Sequence, residues 1–285
     1  MAPAITHFLV GATLLVFAFV PIAIRYDLGR EHAVWLIPLG GVWGLLPDVH
    51  HITPVFQAEL YAIHNTAWMD LFALHYTLDR PIVRARYTAS VFGSIAAFIV
   101  AVIALWVTPR VRATGQWWRS TRAIVTAGSS LLATAYATVV LWVVVSVQQA
   151  FGAVSTLVGS ESLLVGGLLL VPIGGGLGLV YTIGLEIYGL DRRLEPTTAA
   201  AWAVLTGGLC WLVGVVCLAP LWLGAIGVES VAPPLLHGGS LVALVAYGTV
   251  FGAVYAMVRE GVRSGSERPL GIDETSGSTH LRSFR

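Results

Sequence analysis

Seven long apolar segments, at about 8–24, 33–46, 87–108, 123–147, 162–185, 200–228 and 235–258, take up most of this chain. A helix needs roughly 20 apolar residues, with a range of about 17–25, to cross the hydrocarbon core of a bilayer. Charge is correspondingly scarce: 11% of the 285 residues are charged, against about 25% in a soluble domain. In hydrocarbon every backbone N–H and C=O must be paired within the protein, so only helices and closed barrels span. The runs are continuous rather than alternating, which excludes barrel strands. The sequence therefore predicts an all-α fold: a polytopic helical membrane protein with about seven transmembrane segments, multi-pass in the cell membrane, with the lipid bilayer as its partner. No basic stretch precedes the first segment, so it is expected to remain as a helix. The second segment is short for a span. The sixth is long, with Pro220 placed to kink it.

Arginine placement orients such a bundle. Arg110, Arg112, Arg119 and Arg122 follow the third segment, Arg192 and Arg193 the fifth, and Arg259, Arg263 and Arg268 the seventh, whereas 148–161 and 229–234 carry none. Alternation then puts 109–122, 186–199 and the C-terminal end in the cytoplasm and 47–86 on the outer side, although Arg80, Arg84 and Arg86 run against that assignment. Trp106, Trp117, Trp118, Trp142, Trp202 and Trp222 fall near segment ends, where interfacial aromatics sit. Gly40/Gly44, Gly174/Gly178 and Gly248/Gly252 have the spacing that lets helices approach closely. A weak repeat relates Leu36–Leu45 to Leu170–Leu179, each with a proline followed by paired glycines, as in transporters built from broken helices.

Composition closes two functional classes. All sixteen basic residues are arginine, and without lysine no retinal Schiff base can form. A net charge of +1 with no basic–aromatic cluster gives no footprint for nucleic acid. Cys210 and Cys217, seven apart in one apolar segment, are read as small apolar fillers with free thiols.

Chemistry concentrates at the N-terminal end. Six of the eight histidines (His7, His32, His50, His51, His64 and His75) lie in the first 75 residues, and Gly44–His51 places Asp48 and two imidazoles directly after an apolar run. Imidazole and carboxylate suit zinc and similar divalent metals. Residues 57–80 are too polar to span and are expected to form one or two interfacial helices. On an unbroken helix His64 and His75 differ by about 20° and share a face. Asp79, four residues after His75, is placed to orient it or to pair with Arg80 or Arg84. Antiparallel packing of the first two segments would bring His7 beside Asp48 and His50. The expected divalent-metal site draws its ligands from His7, Asp48, His50, His51 and His75, with His64 and Asp79 supporting them, and Asp70 as a further candidate. His32 sits in a charged loop, and His237 with Ser240 is read as a helix cap; Glu186 and Asp191 are read as pairing at the interface near Arg192 and Arg193.

His7 followed by Gly11, the run Leu45-Leu46-Pro47-Asp48-Val49-His50-His51 and a later histidine resemble the membrane-bound metal-dependent hydrolase family, which includes inner-membrane proteins described as hydrolases associated with the LexA repressor. The resemblance covers about residues 5–80 and implies that His7, Asp48, His51 and His75 occupy the matching ligand positions. His50 stands where that family has a second Asp, and Leu74-His75-Tyr76-Thr77 replaces its later Thr-His-Ser-type motif.

The chain thus divides into 1–86, membrane segments with an interfacial His/Asp cluster; 87–260, a transmembrane bundle; and 261–285, a polar tail expected to be disordered. The leading expectation is a metal-dependent hydrolase acting on a phosphate or ester near the bilayer surface. The alternative is a non-catalytic multi-pass protein whose histidines are structural.

Overall fold

A computed structural model describes residues 3–118, 122–187, 195–228 and 235–265. The described residues form helices and turns, with no strand. Helix α1 (Ala4–Tyr26) is followed by α2 (Ala33–Leu45), which runs into a 3-10 segment at Leu46–His51. A series of short pieces follows: α3 (Gln57–His64), a 3-10 turn at Ala67–Leu71, α4 (His75–Leu78) and α5 (Pro81–Arg84). Then come α6 (Tyr87–Trp118), α7 (Arg122–Val147), the short α8 (Phe151–Ser155), α9 (Leu163–Ile187), α10 (Pro196–Cys210), α11 (Ala219–Ala225) and α12 (Gly238–Gly265). The polar tail beyond Gly265, with His280, lies outside the described residues, as do Asp191, Arg192 and Arg193.

Six helical stretches are long and apolar enough to cross a membrane: α1, α6, α7, α9, the continuous run from Pro196 to Ala225, and α12. The protein is an all-α polytopic membrane protein. The remaining expected segment, the second, is α2, whose 13 residues reach only about 20 Å at 1.5 Å per residue, short of a core roughly 30 Å thick. In the long sixth segment the α-helical ladder widens into a π-helix at Trp211–Leu218, directly ahead of Pro220. A proline has no N–H to give to the ladder, and a widened turn absorbs that loss. The two repeat-like stretches lie on α2 and α9, and both prolines, Pro38 and Pro172, sit inside continuous helices rather than at breaks.

Two helices form the centre. About half of each apolar window of α1 and α12 is buried, 50% and 56%, whereas the other spans bury 17–28% and turn most of their surface outward. All three glycine pairs lie at helix contacts. A Cβ on Gly174 or Gly178 would overlap Thr138 or Thr134 of α7, and one on Gly248 or Gly252 would meet the carbonyls of Ala203 or Ala199 of α10. A close backbone-to-backbone contact joins α1 to α2. A Cβ on Gly11 would overlap the Gly40 carbonyl oxygen, and one on Gly44 would overlap the His7 carbonyl oxygen. Because Gly40 faces Gly11 and Gly44 faces His7, the two helices are antiparallel. The end of α2 is thereby fixed beside the start of α1.

The stretch 57–80 is not the unbroken helix that would have placed His64 and His75 on one face. Thr66 is extended, and Ala73 and Leu74 both adopt positive φ, at 57° and 61°. Non-glycine residues there cost roughly 1–2 kcal/mol each. These breaks fold the segment into a lobe over the bundle end, its 3-10 turn packed against α7.

Substitution at the α1–α2 contact is accordingly expensive. Gly44→Ala is expected to cost about 1–3 kcal/mol through overpacking. Gly175→Ala, with nothing within 4 Å of the added carbon, is expected to be neutral or stabilising. Thermal unfolding of the detergent-solubilised variants checks the contrast.

Candidate metal centre

Four elements converge at the bundle end. His7 lies in the first turn of α1 and is buried by the lobe. Pro47, having no N–H, ends the α-helical ladder of α2, and the 3-10 segment after it carries Asp48 and buried His50. Buried His64 closes α3, and buried His75 opens α4 with Asp79 at its end.

Their reactive atoms approach one another at a characteristic spacing. His75 Nε2 lies 3.3 Å from Asp48 Oδ1, and His64 Nε2 lies 3.3 Å from Asp79 Oδ2. His7 Nε2 lies 3.5 Å from Asp79 Oδ1, and His75 Nε2 lies 3.9 Å from Asp79 Oδ2. Direct N–H···O bonds are shorter, at about 2.7–3.2 Å. Two ligands of one tetrahedral zinc, each about 2.0–2.2 Å from the ion, stand roughly 3.3–3.6 Å apart. Among the described residues, both ring nitrogens of His7, His75 Nε2, His50 Nε2 and Asp48 Oδ1 are buried without a hydrogen-bond partner. Buried polar atoms are rarely left so.

The other ring nitrogens explain the orientation. His75 Nδ1 lies 2.9 Å from the Gly44 carbonyl, His50 Nδ1 3.0 Å from that of Pro47, and His64 Nδ1 3.2 Å from the same oxygen. A carbonyl only accepts, so each Nδ1 carries the proton and each Nε2 presents a lone pair. A histidine that binds metal is set up in this way. The carbonyls, rather than Asp79, orient the rings; Asp79 stands among the converging donors. The His7 ring stacks on His75 with centroids 3.9 Å apart, and the His64 ring stands edge-on to His75 at 5.0 Å.

Three groupings can hold a metal ion: His7, Asp48 and His75; His64, His75 and Asp79; and Asp48, His50 and His51. The first two share His75 and are mostly buried. The third includes exposed His51, whose ring lies 3.9 Å from that of His50. Seven candidate residues thus gather at one end, with His51 at the rim. His32 stays apart, bound to the Gly29 carbonyl and near Glu31. His237 Nδ1 accepts from the Ser240 N–H in a helix-capping turn. Glu186 accepts from the Tyr255 hydroxyl and faces Arg259 on α12.

Asp70 has a different task. It is buried and accepts three bonds, from the Thr77 N–H and hydroxyl at 2.7 Å each and from the Ser146 hydroxyl at 2.5 Å. One carboxylate therefore closes the strained turn before His75 and ties it to α7. Arg80 is held nearby, donating to Gln149 Oε1 at 2.7 Å. Neither role was expected from the sequence. The only trace of the first is a carboxylate seven residues ahead of a threonine in an otherwise interfacial stretch.

The charges respond to this packing. Burial pushes the Asp48 carboxyl up, but the His75 imidazole, aided by His7 and His64, outweighs it and holds Asp48 below its ordinary 3.8. Burial lowers His75, but Asp48, the Gly44 carbonyl and Asp79 hold it above its ordinary 6.5. Burial, with the positive charge of His75, pushes His64 below 6.5.

Comparison with protein-family models, with curated proteins and with solved structures finds no match to this chain. The geometry therefore carries the functional argument.

Two outcomes follow for stability. With His75 raised, its contribution is complete below pH 6.5 and is lost as pH rises through its folded value. With His64 lowered, its contribution is complete above 6.5 and is lost as pH falls. Asp48 contributes throughout the range above 3.8 and does not shape this part of the curve. Chelator-treated protein should therefore be most stable near pH 6.5, with the alkaline loss diminished in Asp48→Asn and the acid loss diminished in His64→Gln, as read by melting temperature against pH. Separately, Asp70→Ala leaves the Thr77 and Ser146 donors unsatisfied and should cost on the order of 3 kcal/mol in the unfolding equilibrium.

Proposed function

We propose that this protein is a metal-dependent hydrolase working at one face of the membrane. In this reading His7, Asp48 and His75 hold a divalent ion, while His64 and Asp79 face the substrate. The observation that carries it is the convergence of buried, unpartnered acceptor atoms, two of them on imidazoles, at co-ligand spacing. Mutually repelling lone pairs in one buried spot make sense when a cation occupies their focus. The donor set of two imidazoles and a carboxylate suits zinc. The resemblance of His7 and the Leu-Leu-Pro-Asp run to membrane-bound metal-dependent hydrolases supports the same assignment.

The ion would supply Lewis acidity toward water and the scissile group. The protein supplies the rest. His64 and Asp79 also line the cavity that opens beside the cluster. His64, kept neutral by burial, takes the proton from water at Nε2. The water oxygen bonds to the electrophilic centre of the ester, the bond to the leaving oxygen breaks, and that oxygen receives the proton from His64. Asp79, 3.3 Å from His64 Nε2, stabilises the transient imidazolium.

Metal analysis of detergent-purified protein tests the assignment. A divalent metal is expected in wild-type protein, with loss in His7→Ala, Asp48→Ala and His75→Ala and retention in His51→Ala. His64→Gln should keep the metal and lose roughly 10²–10⁴ in hydrolytic rate. Unchanged metal content in both Asp48→Ala and His75→Ala removes the proposal.

A further inference from the structure

The cavity beside the cluster has a second wall with a chemistry of its own. It measures about 280 Å³ and is lined by Tyr61, His64, Tyr76, Asp79, Arg80 and Arg84, among others. One side is thus the His/Asp centre and the other carries two guanidinium groups. Arg80 is held in place, with one terminal nitrogen donating to Gln149 Oε1 at 2.7 Å and the guanidinium 5.3 Å from the centre of the Tyr76 ring. Among the described residues, no ion pair joins Arg80 or Arg84 to a carboxylate. A pair of arginines beside a pocket, one of them immobilised by a neutral partner, retains its charge for an anion.

Resting on the hydrolase reading above, the geometry points to a phosphate ester as the substrate class, its phosphoryl oxygens held by Arg80 and Arg84 against the His64–Asp79 wall. Guanidinium groups match phosphate oxygens through paired N–H donors. A neutral carboxylic ester would offer neither cation an anionic partner. Size bears on the same point. Small-molecule pockets run to roughly 300–1,000 Å³, so a cavity of about 280 Å³ takes a phosphoryl group with a small substituent and leaves the remainder of the molecule outside. The surrounding lobe exposes Ile52, Phe56, Trp68 and Ile82. With Arg80, Arg84 and Arg86 alongside, this is the composition of a surface seated at the boundary of headgroups and acyl chains. A phosphate could reach the cavity from a lipid headgroup or from a soluble ester, and both present the same oxyanion. In the reaction the water oxygen bonds to phosphorus, the bond from phosphorus to the ester oxygen breaks, and the alcohol leaves with the proton taken from water.

Binding of inorganic phosphate to the full-length, metal-loaded protein in detergent, followed by phosphorus NMR titration, tests the inference, with acetate as competitor. Saturable phosphate binding is expected, unaffected by equimolar acetate and at least tenfold weaker in Arg80→Gln and Arg84→Gln. Both variants should keep the wild-type metal content and melting temperature, and Arg80→Lys should fall between. Phosphate binding that is absent, equally displaced by acetate, or unchanged in both variants overturns the inference while leaving the metal assignment standing. If the purified protein holds no metal, the hydrolase reading fails by itself. The same titration on that protein then decides the pocket: arginine-dependent binding upholds phosphate recognition, and its absence overturns it. Phosphate release from phosphatidic acid in mixed micelles, compared with release from a water-soluble phosphomonoester, separates the two sources. Arginine-dependent turnover of either supports the class, and turnover of neither by metal-loaded protein overturns it.

Discussion

Everything at the functional end depends on one backbone contact, that of Gly44 against His7. The Gly44 α-carbon presses on the His7 carbonyl, where no side chain fits. Its own carbonyl accepts the Nδ1 proton of His75. A single glycine therefore sets the distance between α1 and α2 and fixes the tautomer of an imidazole brought in from the lobe. Through the same contact the chain around Asp48, four residues further on, is carried to the mouth of α1. Van der Waals packing of small residues drives helix association in lipid, where there is little hydrophobic gain. Here it also assembles a polar site at the helix ends.

The cluster itself illustrates how polar groups are afforded at a membrane face. Ionisable groups are costly in the bilayer interior. Asp48, His50, His64, His75 and Asp79 all lie on the lobe outside the six spanning helices, and His7 lies in the first turn of one. Carbonyls freed where helices end receive the Nδ1 protons: Gly44 and Pro47 stand at the end of α2, where the α-helical ladder gives way to a 3-10 segment. The last carbonyls of an α-helix have no partner in their own ladder. The same local event that terminates α2 thus supplies the acceptors that orient three histidines.

Much of this was legible in the sequence, and the illegible part has a physical cause. Long apolar runs specify the spans because lipid admits few solutions for the backbone. The antiparallel pairing of the first two segments follows from the short loop between them, and glycine spacing marks the close contacts between helices. The convergence of His64 and His75 was also expected, but by a different route: a continuous helix face was assumed, and the chain instead turns at Thr66 and at Ala73–Leu74. Positive φ at alanine and leucine carries no local signal, since neither residue favours it. It is imposed by tertiary contacts that pattern reasoning does not see. Likewise, carbonyl acceptors are invisible in a list of side chains, which offers His75 only Asp79, a residue equally placed to pair with Arg80 or Arg84.

That imposed strain links the bundle to the site. Residues held in sparsely populated backbone regions persist only when their surroundings over-determine them. At Ala73–Leu74 the surroundings are Asp70, bonded to Thr77 on the far side of the turn, and Ser146 near the end of α7. His75 is the next residue, so its position is referred to a membrane-spanning helix through one buried carboxylate. Arg80 is referred to the same region through Gln149. His75 and Arg80 are therefore both referred to the C-terminal end of α7, and a displacement of that helix end would move the imidazole and the guanidinium together. The bundle is in this sense the base against which the imidazole of His75 and the guanidinium of Arg80 are both positioned.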